Sequence, residues 1–334
     1  MTDVAEEILA TYEDLAALDR EFEDVETEII RHQYALSKPL FEKRKKLIAK
    51  IPNFWPLVFE QAPPDVDQYI QPIDSALLLA SLTSVSVSHF EIEDGGKGDP
   101  RSIAIKMEFS ENEHFEDKVL EKKFWYRHSR DGYAGLVSEP VSIKWKAGKD
   151  LTDGMLDLVV KVWKHDLKEQ SQANGKSKDK EKKTTPSDWN ADQKALREKI
   201  DAFGLGGVSF FCWFGYRGRS ISAEEDAIAI KEDNDRRAKK AEGKPLQSPE
   251  DDEDEEEDEE DPLPLEIFPD GDDLAIAIAE DLWPGALKYF TQAQEADAMS
   301  DLDFEDDDEE MNGDENEDED EDDDEAPPLK RVKM

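Results

Sequence analysis

The chain has 334 residues, with 85 acidic against 42 basic side chains and a formal net charge of −43. Such a surface repels nucleic acid and anionic membranes, so we expect a strongly basic partner. No apolar run approaches the roughly 18–20 residues that span a bilayer, and the single cysteine excludes an internal disulfide and a cysteine metal cluster. The charge is concentrated, because residues 250–261 are all acidic and residues 301–325 hold 19 more acids.

A heptad pattern runs through residues 3–38 and predicts a helix roughly 54 Å long. A helix of this length with an apolar stripe typically pairs with a copy of itself; packing onto its own domain is the alternative. Pro39 predicts a kink or stop near Lys38, followed by a shorter basic helix over 41–51. The apolar residues of the predicted dimer contact, here called the helix seam, are Ile8, Leu15, Leu18, Phe22, Val25, Ile29 and Leu36.

After a predicted helix at 75–82, apolar and polar residues alternate with period two. This pattern, broken by short turn-rich pieces, predicts an antiparallel meander with one buried and one solvated face. Helices follow in the sequence, so the fold class is α+β. The four predicted strands are 84–93, 102–109, 119–128 and 141–146.

The remaining segments complete the predicted domain organisation. Residues 1–51 form the long helix, and residues 52–294 form a helix-packed domain around the meander. Flexible insertions interrupt that domain at about 168–188 and 231–264, where the chain is polar and highly charged. We expect a disordered acidic tail over 295–334 that ends in basic residues.

Several segments together resemble the nucleosome assembly protein/SET histone chaperones, and the SET branch in particular. They occur in the order found in that family, and their combination is specific although each alone is weak. They are KPLFEKRKKL (38–47), IAKIPNFW (48–55), SIKWKAGKDLT (142–152), SFFCWF (209–214) and EDLWPGALKYF (280–290).

The resemblance implies a headphone-shaped homodimer in which each protomer carries an "earmuff" α/β domain with a concave, histone-binding underside. It also implies a nuclear protein and, as in fungal relatives, partnership with a histone acetyltransferase. Asp272 and Asp273 match an acidic pair on that underside, and Glu280 and Asp281 extend it. For the aspartate pair, capping of the helix N-terminus is the alternative role.

Other charged groups have competing interpretations. Glu224, Glu225 and Asp226 are candidate histone contacts, although a solvated helix face is the better explanation for them. The acidic runs place about one charge per 3.4 Å of extended chain, close to the phosphate spacing of a DNA strand, so they can compete for histone lysines and arginines. Solubility alone is the alternative role of such runs.

Basic residues suggest two further contacts. Lys144, Lys146 and Lys149 could touch duplex DNA weakly, although lysines also protect the edge of a sheet. The C-terminal Lys330, Arg331 and Lys333 resemble a nuclear-import signal read by an importin.

No enzymatic or cofactor site is expected, because the histidines lack metal spacing and Cys212 lies in an apolar run. We therefore expect a nuclear, cofactor-free histone chaperone that shields histone charge during nucleosome assembly or disassembly. The alternative is an adaptor that docks on a histone acetyltransferase or phosphatase, with histone binding secondary.

Overall fold

The computed structural model describes residues 2–173, 189–203, 207–241 and 265–311. The helices are α1 (Thr2–Ile48), α2 (Phe54–Glu60), α3 (Pro64–Asp67), α4 (Pro72–Ser81), α5 (Met155–Ala173), α6 (Ala191–Phe203), α7 (Ala223–Ala241), α8 (Gly271–Ala277) and α9 (Ala286–Met311). The strands are β1 (Leu82–Ser88), β2 (Ile103–Phe109), β3 (Val119–His128) and β4 (Ala134–Ser138). A 3₁₀ segment covers Phe210–Gly215, and a π-helical turn at Ile278–Leu282 follows α8. In the part of the chain described here, no helix is long and apolar enough to cross a membrane.

The N-terminal helix α1 is continuous for 47 residues and passes through Pro39. The predicted break near Pro39 and the separate helix at 41–51 are therefore wrong. Proline removes one helical hydrogen bond and disfavours the preceding turn, but packing on both sides of it holds the helix in place. Tyr34 meets the ring of His89 with centroids 4.6 Å apart, Phe41 meets that of Trp283 at 4.1 Å, and Ile48 is buried.

The sheet is the predicted four-stranded antiparallel meander, in the order β1-β2-β3-β4. Its membership differs from the prediction at the fourth strand, which is β4 and not residues 141–146. The alternation at 141–146 reflects an extended segment packed beside the sheet. Its backbone is bonded elsewhere, since the Val141 amide donates to the Phe214 carbonyl (2.8 Å) and the Lys146 amide donates to the His114 carbonyl (2.7 Å). Strand β1 is shorter than predicted, because residues 89–93 turn away after Ser88.

The core lies between the sheet and the aromatic 3₁₀ segment, whose residues are all buried. Lys122 of β3 is fully buried, and its ammonium donates to the carbonyls of Tyr216 (2.9 Å), Glu139 (3.1 Å) and Phe214 (3.2 Å). Buried Glu266 accepts hydrogen bonds from backbone amides that include Arg217 N, at 2.9 Å. These buried polar groups tie the sheet to the segment that leads into α8.

The predicted insertions and tail are more helical than expected. Helix α5 continues to Ala173 and α7 continues to Ala241, so the first part of each insertion is helical; residues 174–188 and 242–264 lie outside the described ranges. Helix α9 runs to Met311 and so includes residues 295–311 of the predicted tail. No glycine or proline interrupts α9, and its alanine, glutamine and glutamate residues favour helix. The rest of the tail lies outside the described residues.

Candidate functional site

Three aspartates gather at the start of α8. Asp270 occupies the N-cap position, and Asp272 and Asp273 follow in the first turn, where carboxylates suit the positive end of the helix dipole. Asp273 is exposed and Asp272 is half-buried. Burial raises the pKa of Asp272, and the neighbouring charge of Asp273 adds to the shift. Asp270 makes no side-chain capping hydrogen bond, whereas backbone hydrogen bonds at Asp272 and Asp273 partly offset the rise in the pKa of the Asp272 carboxyl. Capping of the helix N-terminus by the aspartate pair is therefore compatible with a surface role.

Close packing fixes where α8 begins. The indole Nε1 of Trp213 donates to the Gly271 carbonyl at 2.8 Å. A Cβ at Gly271 would overlap the ring of Tyr216, so only glycine allows this approach. The first turn of α8 is thereby held rigidly against the buried aromatic segment.

Two tyrosines from other elements complete the group of aspartates. The Tyr69 hydroxyl donates to Asp270 Oδ2 at 3.3 Å, and burial followed by the Asp270 charge raises the pKa of Tyr69 to about 12. Tyr133, from the β3–β4 turn, has a raised pKa because of burial and the charge of Asp272. We call Asp270, Asp272, Asp273, Tyr69 and Tyr133 the tyrosine–acid patch.

Three members of this patch were missed at the sequence level. Asp270 lies two residues before Asp272, and this proximity to the predicted pair is the only sequence signal for it. Tyr69 and Tyr133 carry no local motif, and only the tertiary fold brings them to α8.

The acidic group at the start of α7 divides into surface and structural residues. Glu224 is exposed, and Glu225 accepts a hydrogen bond from the Ser129 hydroxyl at 3.3 Å. Because Ser129 and Tyr133 share the β3–β4 turn, this turn lies between Glu225 and the tyrosine–acid patch.

Asp226 does not lie on a solvated helix face, contrary to that interpretation. It is 7 % exposed and fastens α7 to the end of β3. Its carboxylate accepts from the His128 amide (2.8 Å) and from Arg127 Nη1 (3.2 Å). Burial opposes ionisation, but these partners lower the pKa of Asp226 below its usual value. We therefore remove Asp226 from the candidate histone contacts.

Glu280 and Asp281 are exposed, but they lie at the opposite end of the α8 segment from the patch. The Asp281 carboxylate accepts the Tyr289 hydroxyl at 2.8 Å. The charge of Glu280 acts on His89, which packs against α1. The predicted acidic quartet is thus split between two locations.

Helix α1 has two distinct faces. Tyr34, Phe41 and Ile48 are on the face that packs against its own domain. The helix seam lies away from this face and is exposed to solvent in the single chain, apart from Ile8, whose side chain is outside the described set. The exposed fractions are Leu15 56 %, Leu18 48 %, Phe22 61 %, Val25 56 %, Ile29 57 % and Leu36 61 %.

The remaining candidates are partnered or buried. Lys146 Nζ donates to the Asn112 carbonyl at 2.6 Å, Lys149 pairs with Glu113 at 3.4 Å, and Lys144 lies 3.8 Å from Asp117. Burial raises the pKa of the Cys212 thiol well above its ordinary value. Within the described ranges, no three His, Cys, Asp or Glu side chains are grouped to hold a metal ion.

Comparison with known proteins identifies the family to which this fold and patch belong. Residues 48–293 match the nucleosome assembly protein (NAP) family. The chain belongs to the nucleosome assembly protein family. This NAP-family match begins at Ile48, at the end of α1, and extends through α8 into α9, so it includes the whole tyrosine–acid patch.

Curated relatives carry both names that the sequence resemblance suggested. A Schizosaccharomyces pombe protein named for nucleosome assembly is 36 % identical over 156 residues, covering 43 % of this chain and 61 % of that protein. Protein SET of Drosophila melanogaster is 31 % identical over 152 residues, covering 45 % of this chain and 54 % of that protein. The chain thus spans little more than half the length of these relatives. A crystal structure of Vps75 has the same fold, with a TM-score of 0.50 at 21 % identity, covering 85 % of this chain and 98 % of that one.

Proposed function

We propose that this protein is a histone chaperone whose tyrosine–acid patch binds core histones. The observation that carries the proposal is the gathering of Asp270, Asp272 and Asp273 with Tyr69 and Tyr133 on a rigidly held helix start. Carboxylates accept strong charge-assisted hydrogen bonds from arginine and lysine. The ring of Tyr69 adds cation–π attraction for the same side chains, whereas the ring of Tyr133 already holds the guanidinium of Arg219 at 4.3 Å. The combination suits a basic protein surface of defined shape.

The acidic runs have a complementary role in this proposal. Residues 250–261 and 314–325 carry charge at a spacing similar to that of DNA phosphates. They raise the encounter rate with histones and shield histone charge, whereas the folded patch sets orientation. This division predicts a salt-sensitive contribution from the runs and a less salt-sensitive one from the patch.

The proposed working unit is a homodimer formed along the helix seam. A stripe of exposed apolar side chains on a helix of 47 residues is unusual for an isolated chain. Pairing buries this stripe and leaves the opposite face of α1 against its own domain. Two patches are then carried by one rigid support, in accord with the headphone shape that the sequence resemblance implies.

We further propose that the protein works in the nucleus. The support is the family together with Lys330, Arg331 and Lys333, a basic cluster at the end of the chain that an importin would read. Fusing residues 326–334 to a fluorescent protein tests this directly. Nuclear accumulation that disappears when the three basic residues become alanine supports the assignment, and even distribution refutes it.

The test of histone binding is a pair of charge reversals at the patch. Asp272→Lys with Asp273→Lys should weaken binding to core histones at about 0.3 M salt, where diffuse attraction is largely screened. We expect at least a tenfold loss, since two charge-assisted contacts are replaced by repulsion. Circular dichroism checks that the variant is folded, and Asp272→Asn with Asp273→Asn tests the same contacts without adding positive charge.

A matched control uses α6, where Asp192 and Glu198 are exposed and lie outside the patch. Asp192→Lys with Glu198→Lys makes the same change in net charge and should leave affinity within about twofold. The variant Glu280→Lys with Asp281→Lys tests whether the far end of the α8 segment contributes to histone binding. We expect a smaller loss of affinity from this variant than from the patch variant. If the patch variant binds like wild type, the chaperone site is misplaced and the adaptor role becomes the better account.

A further inference from the structure

The end of α1 and the residues just after it carry a cluster of exposed lysines. Lys43, Lys45, Lys46 and Lys50 lie within eight consecutive positions and are all exposed. Lys38, on the domain-facing side, pairs with Glu93 at 2.8 Å. None of the four exposed lysines has a carboxylate partner among the described residues. Positive charge at a helix C-terminus favours the helix dipole, but that explains neither the number of lysines nor their lack of neutralisation on a chain of charge −43.

The base of α9 is attached beside this cluster. Arg44 lies between the rings of Phe41 and Trp283, with its guanidinium carbon 4.7 and 4.8 Å from their centroids. Its Nη1 donates to the Pro284 carbonyl at 3.0 Å. Phe54, just after α1, stacks on Phe290 of α9 with centroids 4.8 Å apart. Helix α9, which leads to the C-terminal segment, therefore begins next to the end of α1 that carries the four lysines.

We propose that the acidic residues 314–325 dock on Lys43, Lys45, Lys46 and Lys50 when no histone is bound. This segment holds 11 acids in 12 positions. From Phe290 to Met311, α9 advances about 32 Å, whereas residues 312–325 can extend to about 48 Å. The end of the segment therefore reaches back to the start of α9 even if α9 points directly away.

The other acidic run is a poorer occupant on the same grounds. Residues 250–261 follow α7, whose Arg237 pairs with Asp24 at 2.8 Å. Asp24 and Arg44 are separated by about 30 Å along α1. Helix α9, which leads to the C-terminal segment, begins beside the lysines, whereas α7 meets α1 about 30 Å from them, and we therefore take the C-terminal segment as the occupant.

Docking has a consequence for binding. The segment that attracts histones is partly neutralised in the free protein, and a histone must displace it from the lysines. The basic cluster then acts as an internal competitor that limits capture of weakly basic proteins. This consequence rests on the proposed histone binding, whereas the docking itself does not.

Energy transfer within the full chain tests the docking. Ala49→Cys, beside the cluster, and Ala326→Cys, just after the acidic segment, accept a donor and an acceptor dye, and native Cys212 is buried. Excess unlabelled protein restricts transfer to labels on one chain. We expect high transfer at about 0.05 M salt that falls at about 0.5 M, because exposed charge pairs are screened.

Neutral substitutions identify the docking surface. The variant Lys43→Gln, Lys45→Gln and Lys46→Gln should lose at least half of the salt-dependent transfer. Glutamine supports helix about as well as lysine, so α1 should persist. The control removes three exposed lysines from α5 and α6 and should keep wild-type transfer; it carries Lys161→Gln, Lys164→Gln and Lys194→Gln.

Equal transfer in both variants would overturn the proposal. The proposal also fails if energy transfer is unchanged in the lysine-to-glutamine variant of the cluster while that variant loses affinity for a 20-base-pair DNA duplex. The lysines would then bind DNA phosphates and not the acidic segment. If transfer behaves as expected but added histones do not reduce it, docking stands and the proposed histone displacement is refuted.

Discussion

Glutamate substitutions in the helix seam test the dimer, the support on which both patches depend. Leu18 and Phe22 are one turn apart near the middle of α1, and they are 48 % and 61 % exposed in the single chain. Glutamate has helix propensity at least equal to that of phenylalanine. Leu18→Glu with Phe22→Glu should therefore leave the helix intact but remove the apolar contact that favours pairing of two copies of α1.

The exposed fractions set the expected size of the effect. Burying a whole leucine or phenylalanine side chain contributes about 1.5–3 kcal/mol, so burying roughly half of each contributes about 1 kcal/mol. Two positions in each of two protomers give about 4 kcal/mol, equivalent to nearly three orders of magnitude in dissociation constant. Unpaired carboxylates in the contact add a further desolvation cost and mutual repulsion.

Light scattering at micromolar concentration measures the outcome. Wild type should have the mass of a dimer, and the glutamate variant should have the mass of a monomer with unchanged helical circular dichroism. The control variant Leu18→Met with Phe22→Leu keeps the contact apolar and should remain dimeric. A glutamate variant that retains the dimer mass would show that the helix seam is not the dimer contact.

The other predictions concern stability and salt. Lys122→Met should lower the unfolding free energy in urea by about 3–5 kcal/mol, because three carbonyls lose their donor and Glu266 loses a compensating charge; an unchanged urea midpoint would contradict this. The lowered folded-state pKa of Asp226 means that its carboxylate stabilises the fold above the unfolded pKa, near about 4, and that this contribution disappears as pH falls through the folded value. The stability difference between wild type and Asp226→Asn should therefore shrink as pH falls below about 4, and a constant difference would contradict it. A chain ending at Met311 should bind histones more weakly than the full chain at about 0.05 M salt and equally at about 0.5 M; equal loss at both salts would refute the shielding role.

The fold could be predicted where a single periodicity dominates. The heptad pattern predicts the helix α1, and the period-two pattern predicts the strands β2 and β3, because each pattern places the apolar residues on one face of the element. The same pattern gave a wrong strand at residues 141–146. Apolar and polar residues alternate in any extended segment with one buried side, whether its backbone pairs within the sheet or with nearby loops. The predicted helix break at Pro39 is wrong because tertiary packing on both sides of this residue outweighs the tendency of proline to end a helix.

The sequence predicts only part of the candidate site. Adjacent acids such as Asp272 and Asp273 are visible in a linear reading, but their tyrosine neighbours come from a turn and a loop far away in the chain. Asp226 illustrates the opposite error. Its place in a run of three acids predicts a surface, whereas Arg127 and His128, almost a hundred residues earlier, make it a buried structural partner.

We propose that the folded dimer itself binds histones, in addition to the electrostatic attraction that its acidic runs provide. Titration of each core-histone pair into the chain ending at Met311, at about 0.3 M salt, tests this most directly, because diffuse attraction is largely screened there. We expect saturable binding at a fixed ratio to the dimer, weakened by Asp272→Lys with Asp273→Lys. Absence of saturable binding for every histone pair would contradict it and leave a charged tail on a docking module.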